Sequence, residues 1–267
     1  MNDSGWLDAN RSMWDERVPI HVGSRFYDVD AFRRHPDRIR PFEAEEVGDV
    51  TGKDLVHLQC HFGLDTLSWA TRGARVTGLD FSTPAVAAAR TVAAELGLTA
   101  EFVVGNVYEA PEILDGRTFD VVYTGIGALN WPPDLAEWAG VVAALLRPGG
   151  FLYLCEFHPI LWAFPWSGEL VVETDYFDDQ PRFDDEPGTY VDFDAPTEMN
   201  GCYEWQHTLG DVVSEIVGAG LTLELLNEHD VILYERWPWL ERHGLDDYRF
   251  PAGRPRVPLM YSVRARR

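Results

Sequence analysis

Polar residues stand where two buried strands are predicted to end. Gln59, His61 and Gly63 close an apolar run and precede a helical pattern, while Asp80 closes the next run, 21 residues beyond Gln59. The N–H groups at the start of a helix bind anions such as a carboxylate. A carboxylate at this distance can accept both hydroxyls of a ribose. The spacing predicts a site for a ligand that carries a ribose and an anionic end.

Two further predicted strand ends carry residues suited to the rest of such a ligand. Asn106 and Val107 follow the third strand, and Asn offers both a donor and an acceptor to an adenine edge. Thr124 follows the fourth strand, with carbonyls near the expected position of an ammonium group. Phe81 is predicted to stack against the adenine or the ribose.

Each of these residues has a structural alternative. Asp80 could cap a helix, Asn106 could be a turn residue, and His61 could be a polar plug at its turn. Phe81 could belong to the core. Tyr27 could anchor the N-terminal helices, or it could reach the anionic end of the ligand from a lid.

The elements that position these residues alternate between short apolar runs and helical patterns. The predicted strands cover residues 54–59, 75–79, 100–104, 119–123, 151–156, 221–226 and 258–263. The predicted helices between them cover residues 64–72, 82–97, 132–146 and 208–219, and residues 147–150 are predicted as a turn. This alternation indicates a doubly wound α/β fold whose site lies at the carboxyl edge of a mostly parallel sheet.

The segments VHLQCHFGLDT, VTGLDFS, FVVGNV, FDVVYTG and LLRPGGFLYL resemble, in order and spacing, the motifs of class I S-adenosylmethionine-dependent methyltransferases over residues 53–156. WQHTLGDVVSEIVGAGLTLELLNEH and PLMYSVRAR are similar to the last helix and final strands of the bacterial small-molecule branch. The resemblance implies seven strands in the order 3-2-1-4-5-7-6, with the last strand antiparallel. It also implies S-adenosyl-L-methionine as the cofactor.

The first motif departs from the usual pattern of that family. His57, Gln59 and His61 stand where an acidic residue and two glycines are common, and only Gly63 remains. A dinucleotide enzyme needs a glycine-rich turn for its pyrophosphate, so this departure argues against that class.

Methyl transfer to a hydroxyl or ammonium also requires loss of a proton, and His is suited to that task near neutral pH. His158 follows the fifth strand and His207 begins the late helix, so both are candidate bases. Glu156 could orient either imidazole. The alternative is that each histidine is a polar loop or cap residue. No spacing supports a metal site.

Four zones are expected along the chain. Residues 1–52 form a helical lid, residues 53–160 the cofactor-binding core, residues 161–206 an inserted aromatic substrate cap, and residues 207–267 the rest of the core. The aromatic residues of the cap could wall a substrate pocket or form the small core of a β insertion. Two other functions stay open: another nucleotide-cofactor enzyme, or a non-catalytic module that binds S-adenosylmethionine.

Composition limits the partners. The formal net charge is −22, which disfavours nucleic acid. The sequence has no apolar run long enough to span a membrane and no signal-type N-terminus, which predicts a cytoplasmic protein without a membrane partner. A small-molecule substrate and a monomer or homodimer are expected. The three cysteines, Cys60, Cys155 and Cys202, are predicted to be reduced, buried thiols.

Overall fold

The computed structural model describes residues 5–244 and 246–267. The strands, in chain order, are β1 Asp54–Leu58, β2 Arg75–Asp80, β3 Ala100–Val104, β4 Phe119–Thr124, β5 Leu146–Phe157, β6 Arg182–Asp184, β7 Cys202–Glu204, β8 Thr222–His229, β9 Val231–Ile232, β10 Glu241–Gly244, β11 Asp247–Arg249 and β12 Met260–Arg266. The α-helices are α1 Gly5–Val22, α2 Val29–Arg34, α3 Pro41–Val47, α4 Leu64–Thr71, α5 Thr83–Leu96, α6 Ala110–Ile113, α7 Leu135–Leu145 and α8 Leu209–Gly218.

Seven strands form the central sheet in the order β3-β2-β1-β4-β5-β12-β8. Strands β1 to β5 pair in parallel, and β12 is antiparallel to both β5 and β8. The predicted fold and strand order are therefore confirmed. Because β1, β2, β4 and β5 run in the same direction, their carboxyl ends lie at one edge of the sheet, where the candidate site residues were predicted.

Three core helices, α4, α5 and α8, begin and end within one residue of the prediction, whereas α7 begins at Leu135, three residues after its predicted start. Ser82 caps α5 by accepting a hydrogen bond from the backbone N–H of Ala85, and Gly97 ends this helix in a left-handed conformation. Asp134 caps α7, and Thr208 with Asp211 forms a capping box at α8. These caps are local, and for that reason the helix starts were predictable.

The prediction of a turn over residues 147–150 was wrong. The structure includes these residues in β5, which pairs Leu146 with Phe119 and then shifts register before Phe151 pairs with Val121. The backbone N–H of Gly149 also donates to the carbonyl of Arg267, so this segment pairs with the chain end. Pairing with a partner distant in sequence extends the strand through a glycine pair that locally favours a turn.

The sheet is covered on both faces by apolar side chains. Leu55 and Val56, neighbours on β1, belong to two separate buried clusters, one for each face. The three cysteines are buried and unpaired, as predicted. Within the described ranges, no helix combines the length and apolarity that crossing a membrane requires.

Aromatic residues of the inserted region divide between two environments. Phe164 packs in a buried cluster with Trp237 and Phe250, next to the small sheet β10-β11-β9. In contrast, Phe177 and Phe193 are 77% and 76% exposed. The alternative of a small core therefore holds for part of the insertion, and other aromatic residues line a pocket described below.

Candidate functional site

The turn after β1 has left-handed backbone at three positions. Gln59, His61 and Gly63 have φ angles of 55°, 51° and 78°. The first two are the positions at which the family resemblance leads one to expect glycine, which adopts this region at no steric cost. The turn therefore has the backbone shape of a glycine-rich turn, although two of the residues carry large side chains. At Gly63 a Cβ would lie 2.5 Å from the ring of Phe102, so packing requires glycine there.

Asp80 ends β2 beside this turn, as predicted. Its Oδ2 accepts a hydrogen bond from the backbone N–H of His61 at 2.7 Å, and its Oδ1 accepts from Ser82 N–H at 2.9 Å. Burial raises the pKa of Asp80 to about 6. Each carboxylate oxygen has a second lone pair, so Asp80 can still accept two ligand hydroxyls. Ser82, and not Asp80, accepts the capping bond of α5.

Residues of the N-terminal segment surround His61. Its Nε2 lies 3.3 Å from Nδ1 of His21, and the ring of Trp14 packs edge-on with a centroid distance of 5.2 Å. Burial lowers the pKa of His21 to about 3 and that of His61 well below its usual range, so both imidazoles are neutral at physiological pH. His61 thus combines the predicted position at the turn with the alternative role of a polar plug.

Tyr27 lies next to this cluster. Its ring packs on Phe62 with a centroid distance of 4.7 Å, and its hydroxyl contacts the hydroxyl of Tyr190 from the inserted region. In this structure the hydroxyl therefore faces another side chain, and a contact with the cofactor carboxylate stays a prediction.

Asn106 and Val107 lie together after β3, in the positions expected from the sequence. Asn106 Oδ1 accepts from the N–H of Tyr108, a 3.4 Å contact that caps a short 3₁₀ helix, and Val107 is buried in the core. The turn alternative therefore applies to Asn106 in this structure. Phe81 is half-buried beside Asp80, at the same edge of the sheet.

Two buried polar atoms at the ends of β1 and β4 have no hydrogen-bond partner within residues 5–244 and 246–267. They are Oε1 of Gln59 and Oγ1 of Thr124, at the ends of the neighbouring strands β1 and β4. A buried acceptor or hydroxyl without a partner is costly, and a polar ligand would satisfy it. With Asp80, these atoms match the hydroxyl and ammonium groups of S-adenosylmethionine, so the residues fit this cofactor.

The loop that follows β4 separates this region from a second one. Gln59 Nε2 donates to the carbonyl of Ala128 at 2.9 Å. From the other side, the Glu156 carboxylate accepts hydrogen bonds from the N–H groups of Gly127 and Ala128 at 2.8 and 2.7 Å. The loop is therefore held between the ends of β1 and β5.

Glu156 does not orient either histidine, which corrects the sequence prediction. Its oxygens also accept the N–H groups of Leu129 and Phe157, so four backbone donors converge on one carboxylate. Burial raises the pKa of Glu156 to about 7, whereas these donors stabilise its charged form. The role of Glu156 is to position the loop.

The two candidate bases lie in different environments. His158 Nδ1 accepts from the N–H of Ile160 at 3.1 Å, and its Nε2 lies 3.0 Å from the Glu228 carboxylate. His158 is therefore a cap residue, the alternative that the sequence left open. His207 Nε2 instead donates to the carbonyl of Pro132 at 2.9 Å. A carbonyl only accepts, so Nε2 carries the proton and Nδ1 of the neutral ring holds the basic lone pair.

A cavity of about 40 Å³ lies beside His207 at the ends of β5 and β12. This volume holds only a few water molecules at most, so an acceptor requires movement of the covering residues. Burial lowers the pKa of His207, which keeps its ring neutral. The lining includes Glu156, Phe157, Trp162, Trp205, His207 and Tyr261.

Several residues that shape the site were missed by sequence reasoning. Asn10, Arg17 and His21 lie on the same face of α1 as Trp14, at intervals of three, four and seven residues, and all three are buried. This helical spacing of polar and aromatic residues was the available signal. Trp131, in the loop that follows β4, was also missed. Its ring packs against the ring of Trp14 with a centroid distance of 5.3 Å.

Comparison with known proteins shows similarity of the central region to one family. Residues 56–150 match the family described as "Methyltransferase domain". The ubiquinone biosynthesis O-methyltransferase of Cronobacter sakazakii is 33% identical over 136 residues, which are 49% of this chain and 55% of that protein. This chain thus spans about half the length of that relative. The protein of the same name from Stutzerimonas stutzeri is 28% identical over 78% of this chain and 86% of its own.

A solved structure gives the same result for the fold. The S-adenosylmethionine-dependent methyltransferase of Mesorhizobium loti superposes with a TM-score of 0.59 at 24% identity, over 82% of this chain and 93% of that one. At this identity the likeness concerns the fold. The strand order agrees with that likeness, and residues 56–150 are similar to the methyltransferase-domain family.

Proposed function

We propose that this protein is an enzyme that transfers a methyl group from S-adenosylmethionine to a hydroxyl oxygen of a small molecule. The observation that carries the proposal is the β4 loop, residues 127–132, which contacts Gln59 on its cofactor side and Glu156 and His207 on its acceptor side. One loop thus lies between a ribose-type site and a cavity that contains a neutral histidine.

S-adenosylmethionine, when bound, supplies an electrophilic methyl group on a sulfonium. Asp80 would hold its ribose, and the turn of His61 and Gly63 would lie at its amino-acid end. Gln59 Oε1 and Thr124 Oγ1 would satisfy its remaining polar groups. At the acceptor, His207 Nδ1 would take the proton that the hydroxyl loses when its oxygen accepts the methyl group, whose bond to sulfur would break to release S-adenosylhomocysteine. The aromatic lining of the cavity would exclude water.

Two features favour a small hydroxylated acceptor. The relatives from Cronobacter sakazakii and Stutzerimonas stutzeri are named as O-methyltransferases, which supports oxygen over nitrogen. The net charge of −22 disfavours nucleic acid as substrate. A cytoplasmic location and a monomeric or homodimeric state stay predictions from the sequence.

The test is a two-step measurement on the purified chain. Calorimetry first measures binding of S-adenosylhomocysteine, for which we expect a micromolar dissociation constant, equivalent to about −8 kcal/mol. A panel of hydroxylated and aminated small molecules is then incubated with S-adenosylmethionine, and mass spectrometry detects S-adenosylhomocysteine and methylated product. Methylation at oxygen supports the proposal. An absence of binding contradicts the cofactor assignment, methylation only at nitrogen contradicts the acceptor assignment, and binding without turnover across the panel favours a non-catalytic module.

A further inference from the structure

Helix α1 contacts three of the strand-end segments that border the proposed cofactor site, those after β1, β2 and β4. Trp14 packs against His61 of the β1 turn and against Trp131 of the β4 loop. Next to Trp14, Asp15 Oδ1 accepts a hydrogen bond at 2.6 Å from the hydroxyl of Ser82, two residues after Asp80. The helix therefore lies over the rim formed by β1, β2 and β4.

The same helix is bonded to the backbone of the inserted region. Asn10 makes a reciprocal pair with Tyr203, donating from Nδ2 to its carbonyl at 2.9 Å and accepting from its N–H at 2.7 Å. Arg17 donates to the carbonyls of Gly188 and Met199, each at 3.0 Å. Asn10 is fully buried and Arg17 is 7% exposed, so these bonds are shielded from water.

Two other residues of α1 reinforce this attachment. Glu16 accepts the backbone N–H groups of Glu198 and Met199 at 3.0 and 2.8 Å. His21 contacts the core and the insertion at once, since its Nδ1 lies 3.3 Å from His61 and its Nε2 lies 2.6 Å from the Thr189 hydroxyl. The attachment reaches from residue 188 to residue 203 of the insertion.

This attached segment leads directly into the acceptor cavity, which is the cavity of about 40 Å³ beside His207. Two residues after Tyr203, the N–H of Trp205 donates to the carbonyl of Asn130 at 2.9 Å. Trp205 and His207 then line the cavity. A shift of α1 away from the core would therefore pull on the segment that carries the proposed base.

We propose that Asn10 and Arg17 are positioning residues that couple the two sites: closure of α1 over the cofactor orders residues 184–204 above the acceptor cavity. The inference rests on the proposed function for the identity of the cofactor. The coupling is an equilibrium effect in which one ligand favours the closed arrangement of both lid and cap. The acceptor cavity is thereby complete only when the cofactor site is closed.

Hydrogen exchange measured by mass spectrometry on the full chain, with and without S-adenosylhomocysteine, tests the coupling. In the native protein we expect the ligand to slow exchange in α1 and in residues 184–204. In Asn10→Leu and Arg17→Met, α1 should still be protected, whereas residues 184–204 should exchange about tenfold faster than in the native complex, because buried hydrogen bonds are lost. Arg11→Met is the matched control, since Arg11 lies on α1 and pairs only weakly with Asp8, at 3.6 Å.

The outcomes separate the two proposals. Equal protection of residues 184–204 in the native protein and in both variants overturns the coupling, as does ligand binding that protects neither segment. If a buried substitution prevents folding, Glu16→Ala removes two bonds from an exposed position and should give the same pattern more weakly. If calorimetry detects no ligand binding, the cofactor assignment fails. The coupling is then tested on the free protein, where it requires residues 184–204 to exchange hydrogen faster in Asn10→Leu than in Arg11→Met.

Discussion

The cofactor side and the acceptor side of this site are assembled in different ways. On the cofactor side, Asp80 bonds to His61 and Ser82, which lie 19 and 2 residues away in sequence. On the acceptor side, Glu156 bonds to a loop up to 29 residues away, and His207 to Pro132, 75 residues away. The proposed cofactor site thus depends mainly on strand-end turns, whereas the cavity beside His207 depends on contacts between distant segments.

The two buried carboxylates illustrate the same difference. Asp80 and Glu156 both have a pKa raised by burial, to about 6 and about 7. Asp80 accepts two backbone hydrogen bonds and has lone pairs left for a ligand. Glu156 accepts four, so its capacity is used within the protein. A perturbed carboxylate at a strand end therefore indicates a ligand site only when its oxygens are not already saturated.

The largest expected effect separates the two histidines of the acceptor side. His207→Ala should lower kcat by about 10²–10⁴-fold, the usual contribution of a general base, and leave S-adenosylhomocysteine affinity unchanged. His158→Gln, the matched control, should have little effect on kcat because His158 caps a 3₁₀ helix. Steady-state kinetics with an acceptor from the panel measures both. Full turnover in His207→Ala would show that positioning alone drives the reaction.

On the cofactor side, Asp80→Asn should raise the dissociation constant of S-adenosylhomocysteine by about a hundredfold, equivalent to ~2.7 kcal/mol, because two charge-assisted hydrogen bonds weaken. The control Asp49→Asn removes an acidic charge from an exposed loop before β1 and should bind normally. Calorimetry measures both variants. If Asp80→Asn binds with native affinity, the Asp80 carboxylate does not recognise the ligand, and Asp80 and Glu156 do not differ in that respect.

A pH titration sharpens the comparison further. The free protein protonates Asp80 as pH falls through about 6, and the protonated form accepts ligand hydroxyls less well. Affinity for S-adenosylhomocysteine should therefore be constant above pH 7 and fall up to tenfold per pH unit below 6, the slope for uptake of one proton. Binding to Asp80→Asn should lack this dependence. A flat native profile would contradict the role assigned to Asp80.

The smallest expected effect concerns the β1 turn. Gln59→Gly removes left-handed strain of about 1–2 kcal/mol but also the hydrogen bond to Ala128, so the free energy of unfolding should change by less than about 1 kcal/mol. Gly63→Ala should destabilise by about 1–3 kcal/mol, because its Cβ would overlap the Phe102 ring. Urea denaturation distinguishes the two. A large loss in Gln59→Gly would mean that the side chain, and not the backbone shape, maintains the turn.

The fold and the positions of the residues on the cofactor side could be predicted from the sequence for one physical reason. Alternation of apolar runs with helical patterns is a local signal, and parallel strands place their carboxyl ends at one edge. The positions of Asp80, His61 and Gly63 follow from that rule. The left-handed φ of Gln59 and His61 was not predictable from their residue types, since the surrounding turn imposes it.

The sequence by itself determined the alternation of strands and helices in the core, which places Asp80 and His61 at strand ends, and the family resemblance implied the strand order. Only the tertiary structure decided the partners of Glu156, the difference between His158 and His207, and the attachment of α1 to residues 188–203. Each of these depends on hydrogen bonds between segments far apart in the chain, often with backbone atoms that every residue possesses. The backbone partners of such bonds leave no signal in the sequence, because any residue type can supply a carbonyl and every residue except proline an N–H group.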